Sequence, residues 1–243
     1  MKHLVVILLL LLPLSAFADG SENYAAANLP ALSREWHAAD YQAVSRAIVN
    51  GQVQLPKFSS DFGSMILKRL TDPKNLALAQ SRALPIEMRM QECMASMSAL
   101  NSLIQPYLVA ANRGEKVNAE MAALLALMLR VSSASAQNLS EFISNIPHDD
   151  KYPTRMEGVK MVGSGLTNIF LGAETSLSER PFYSPEDITL ILQAMAEALP
   201  SIKDFFAPDF RAELKSKLNR HRRDMLQPSD IQNLERMIKD LEV

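Results

Sequence analysis

A single cysteine, Cys93, serves the whole 243-residue chain. One thiol cannot close an internal disulfide, so the fold must hold without that constraint. Free cysteine is among the most buried residue types, which places Cys93 in the core. No cysteine lies near the N-terminus to carry a lipid, which excludes a lipoprotein. The four histidines share no HExxH or other ligand spacing. Glycine is scarce, at eight. Gly163-Ser164-Gly165 has neither the spacing of a nucleophile elbow nor the Lys of a phosphate loop, and it reads as close helix packing. Aromatic residues make up 6% of the chain, and runs rich in Val, Ile and Thr are few, which disfavours sheet. The formal net charge of −2 is too mild for general nucleic-acid binding. Beyond residue 14 no apolar run reaches the roughly 20 residues that cross a bilayer. The most apolar stretch, Met121 to Leu129, ends at Arg130 and reads as a buried core helix.

What is present begins with an export signal. Lys2 precedes an uncharged apolar run from Leu4 to Leu14, about 11 residues and so the length of a signal h-region rather than a membrane span. Pro13 lies near its end, and Ser15-Ala16-Phe17-Ala18 supplies small residues at the −3 and −1 positions. The pattern predicts a signal peptide over 1–18, cleavage after Ala18, and an exported chain, periplasmic or secreted, from Asp19 to Val243. No transmembrane segment is expected in that mature chain.

Residues 19–243 read as all-α: an irregular bundle of eight or nine helices in one domain, with a weak subdivision near 175–185. Abundant Ala and Leu favour helix. Asp40 is expected to cap a first helix that Gly51 terminates, and Val53 and Leu55 allow a short extended piece before Pro56. Ser59 or Ser60 caps a second helix, and Asp72-Pro73 starts a short one. Met90, Cys93, Met94, Met97, Leu100, Ile104, Tyr107 and Leu108 recur on one face of a long helix, which Pro106 should kink or end early. A partner helix over about 118–146 follows after a short connection, so the two should form an antiparallel hairpin. A helix over about 155–174 comes next. Ser184-Pro185-Glu186-Asp187 opens another, with Ile188, Ile191, Leu192, Met195 and Leu199 inward. Two final helices, with Leu214 and Leu218 and then Leu234, Met237 and Ile238 inward, form a second hairpin.

Three constellations merit a chemical reading. Met90, Cys93, Met94 and Met97 place soft sulfurs on one helical face, the ligand type that selects Cu(I). The same face also suits core packing, or an adaptable groove for a partner helix or a small apolar ligand. Lys215, Lys217, Arg220, Arg222 and Arg223 make a locally basic helix preceded by Phe205, Phe206 and Phe210, a pattern found at anionic or membrane-surface contacts. His148, Asp149 and Asp150 could hold a cation at a loop, or simply form a solvated turn. No nucleophile, acid–base pair or cofactor motif is singled out. The expectation is a non-enzymatic envelope protein that binds another protein or a membrane surface. A soft-metal or apolar-ligand carrier and an enzyme of unfamiliar type are the alternatives.

Overall fold

A computed structural model describes residues 29–178, 182–225 and 227–242. The predicted signal peptide lies outside the described residues. Those residues form eight helices of ten residues or more, α1 (Ala38–Val49), α2 (Asp61–Leu70), α4 (Ile86–Asn112), α5 (Asn118–Ser144), α6 (Tyr152–Ser178), α7 (Pro185–Ile202), α8 (Pro208–Asp224) and α9 (Pro228–Asp240), plus the single turn α3 (Ala77–Gln80). No strand occurs among them, and Val53 is a buried loop residue rather than part of an extended pair.

Local chemistry sets most helix boundaries. Ser60 Oγ accepts the Gly63 N–H at 3.1 Å and opens α2. Asp72 accepts the Lys74 N–H at 2.9 Å and starts a 3-10 turn over Pro73–Leu76. Ser184 and Asp187 exchange reciprocal bonds of 3.1 Å at the start of α7, with Pro185 at the first helical position. Gly51, at φ +68°, follows α1 as a left-handed terminator. The start of α1 differs from expectation. Its N-cap is His37, and Asp40 lies inside the first turn, where its carboxylate reaches back to the His37 N–H at 2.9 Å. Pro106 does not end α4, which continues to Asn112.

The α4–α5 hairpin is antiparallel. Arg89 meets Asn138 near one end, and Met97 meets Ser132 further along. α5 is the axial helix. Ala122, Ala126, Leu129 and Ala136 face a core shared with α6, α7, α8 and α9. Leu124, Leu127, Met128 and Val131 face a second core built with α1, α2 and α4. Such two-sided burial needs apolar residues all round, which is why α5 is long and apolar enough to cross a membrane by composition although it is mostly enclosed here.

The buried stripe of α4 is turned from the one expected. It runs through Arg89, Cys93, Ser96, Ala99, Leu100, Leu103, Tyr107 and Ala110. Small residues bring α5 close, and a count of large apolar side chains misses them. α6 approaches the bundle through Gly163, where an added Cβ would lie 3.3 Å from the Phe205 ring. Gly165 faces open space, so the expected close packing holds at one of the two glycines. α8 and α9 pack as the expected terminal hairpin, with Leu214, Leu218, Leu234 and Met237 buried.

Candidate functional site

A buried polar junction fixes the first half of α4 against α5. Arg89 is 5% exposed. Its Nη1 donates to Asn138 Oδ1 at 2.9 Å, and its two terminal nitrogens bind the Glu141 carboxylate at 2.6 and 3.1 Å. Asn138 Nδ2 donates to the Ala79 carbonyl at 2.8 Å and lies 3.5 Å from Cys93 Sγ. One asparagine thereby ties α3, α4 and α5 together. Neither Arg89 nor Asn138 was expected here. The only sequence signal was an Arg four residues before Cys93 on what proves to be the inward stripe.

The four sulfurs of α4 divide between different environments. Cys93 is fully buried in a small cluster with Ala79 and Ala134. Burial pushes its thiol up to about 11, against the opposing bond from Asn138. Met97 packs between the two main cores, with Ser132 Oγ 3.9 Å from its sulfur. Met90 packs against the cluster of Leu139, Ile146 and Val159. Met94 is 52% exposed. The face spans about 100° of helix at 100° per residue, enough to send Cys93 inward and Met94 outward.

Met90 and Met94 do share a feature. With Ala95, Gln91, Glu87 and Phe142 they line an open surface groove of about 550 Å³. Phe142 comes from α5 and closes the groove's side; exposed Met88 lies on the same stretch of α4. Glu141 is held by Arg89, so Glu87 is the one charged side chain of the lining.

The basic face of α8 is largely occupied. Lys215 pairs with Glu242 at 2.9 Å and Arg222 with Glu235 at 3.5 Å, both on or just beyond α9. Lys217 lies 3.1 Å from Glu213 and 3.3 Å from Glu174. Arg220 and Arg223 are exposed, and neither has an ion-pair partner among the described residues. Glu174, on α6, is 3% exposed and also meets His221 Nε2 at 2.9 Å. Burial by itself would raise this carboxyl, but the His221 bond and the Lys217 ammonium hold it below the ordinary value.

At the loop before α6, His148 stacks on Tyr152 with ring centroids 4.3 Å apart. Asp149 is taken up by Arg155 at 2.7 and 3.1 Å, which holds its carboxyl below the usual range. Among the described residues no three His, Cys, Asp or Glu side chains gather as metal ligands would. Compared with known proteins, the chain matches no family model, no curated protein and no solved structure.

Proposed function

We propose that this is an exported, non-enzymatic binding protein, and that the groove along α4 seats an amphipathic helix of a partner protein. The observation that carries the reading is the pairing of Met90 and Met94 with Phe142 in an open apolar trough. Exposed apolar side chains gathered in one trough are a feature of contact surfaces. Thioether side chains are flexible and polarisable, so they adapt to the irregular ridge of a helix. Glu87 at the lining favours a partner whose apolar face is flanked by Lys or Arg. The α8 surface is the weaker candidate, because Lys215, Lys217 and Arg222 already have carboxylate partners.

A helical peptide of Leu and Lys at amphipathic spacing, followed by fluorescence anisotropy, tests the groove. It should bind saturably, and a Leu–Glu counterpart should bind more weakly. Met94→Glu should weaken the Leu–Lys peptide at least about tenfold, the loss typical of an interface hot spot. Equal binding by the variant would contradict the reading. Export is tested apart from this, by the mass of the protein recovered outside the cytoplasm. It should equal that of Asp19–Val243, and a retained Met1 would contradict it.

A further inference from the structure

A second recess opens beside the start of α1. Its volume is about 460 Å³, and Ser33, Arg34, Glu35, His37, Arg69 and Lys74 line it. Asn75 organises the neighbouring backbone. Its Oδ1 accepts the Trp36 N–H at 2.8 Å and Arg69 Nη2 at 3.0 Å, and its Nδ2 donates to the carbonyls of Arg69 and Leu70.

The charges of this cleft fall into two groups. Arg34 is spent on Asp40, in two bonds of 2.5 and 2.7 Å, and Arg69 is spent on Asp72 at 3.1 Å. That leaves the Lys74 ammonium and the Glu35 carboxylate. Both are exposed, and neither has an ion-pair partner among the described residues. Two buried nitrogens of the wall, His37 Nδ1 and Arg69 Nε, have no hydrogen-bond partner among the described residues. Buried polar atoms are rarely left so, and each one asks for a partner.

We propose that this cleft binds a free α-amino acid through its zwitterionic backbone. The ligand ammonium goes to Glu35, and its carboxylate goes to Lys74 and the Arg69 Nε–H. The charge balance selects this class. A simple anion would gain from Lys74 and be opposed by Glu35; a simple cation would meet the reverse. Only a ligand carrying both signs at short separation gains from both. The volume lies within the range of small-molecule sites.

Trp36, the chain's one tryptophan, adjoins His37 and reports on the cleft by its fluorescence. The purified protein would be titrated with glycine, whose zwitterion has no side chain to clash, and with acetate, methylammonium and inorganic phosphate. Trp36 emission and calorimetric heat would be followed together. Glycine should give a saturable response, and the three singly functional ions should bind at least about tenfold more weakly. Lys74→Ala and Glu35→Ala should each weaken glycine about tenfold while leaving the thermal midpoint unchanged. Acetate or phosphate binding as well as glycine would overturn the proposal in favour of a plain anion site. Loss of binding in Lys74→Ala alone would do the same, and the absence of any saturable response to glycine would end it.

Discussion

Asn138 Nδ2 lies 2.8 Å from the carbonyl of Ala79 and 3.5 Å from Cys93 Sγ, while its Oδ1 accepts from Arg89. The position is 3% exposed, so no solvent replaces these bonds when they are lost. Asn138→Ala strands the Ala79 carbonyl and one Arg89 donor. The expected loss is about 2 kcal/mol, the cost of a buried unpaired group. In a chain of this size that lowers the thermal midpoint by about 4–8 °C. A midpoint unchanged by the substitution would show that the junction does not hold the hairpin.

The same junction makes Cys93 inert. Burial and a thiol raised to about 11 leave little thiolate at neutral pH. A disulfide reagent such as Ellman's should therefore fail to react with the native protein and should titrate one thiol after denaturation. Rapid stoichiometric reaction in the native state would contradict the placement of Cys93.

Glu174 gives the acid dependence a definite sign. Its folded carboxyl lies below the ordinary 4.5. The stabilisation it contributes is therefore complete above that value and is lost as pH falls through the folded value. The urea midpoint should decline across that acid window. Glu174→Gln should lower the midpoint at neutral pH and flatten the acid decline. An unchanged acid slope in the variant would show that the contact with His221 and Lys217 does not couple α6 to α8.

Two glycines should respond in opposite directions to alanine. At Gly63 an added Cβ would lie 2.5 Å from the backbone N and O of Lys57, which cannot yield without moving the chain. At Gly165, inside α6, it would meet nothing within 4 Å. Gly63→Ala should destabilise strongly, and Gly165→Ala should stabilise by up to about 1 kcal/mol through helix propensity. Urea unfolding of both variants checks this, and the same sign for both would contradict it.

Signals confined to a few adjacent residues were the legible ones. Ser184-Pro185-Glu186-Asp187 writes its capping box and first-turn proline locally, and α7 begins there. The α4 stripe was read with a small rotation, because Ser96, Ala99 and Arg89 carry burial that apolar periodicity does not register. Met90 and Met94 were visible as one face, but Phe142, which completes the groove, comes from the facing helix and has no local signature. The basic run of α8 was equally visible. Its partners Glu174, Glu235 and Glu242 lie on other segments, so its partial neutralisation was not. The cleft at Glu35 and Lys74 joins segments that periodicity does not connect, and it went unread.

The most direct test of the groove is methyl NMR of the protein with labelled methionine methyls. Met90 and Met94 line the groove, whereas Met65 and Met161 are exposed on α2 and α6. Addition of the Leu–Lys helical peptide should move the Met90 and Met94 signals and leave those of Met65 and Met161 in place. Shifts of equal size at Met65 and Met161, or no shift at Met94, would contradict a docking groove on α4.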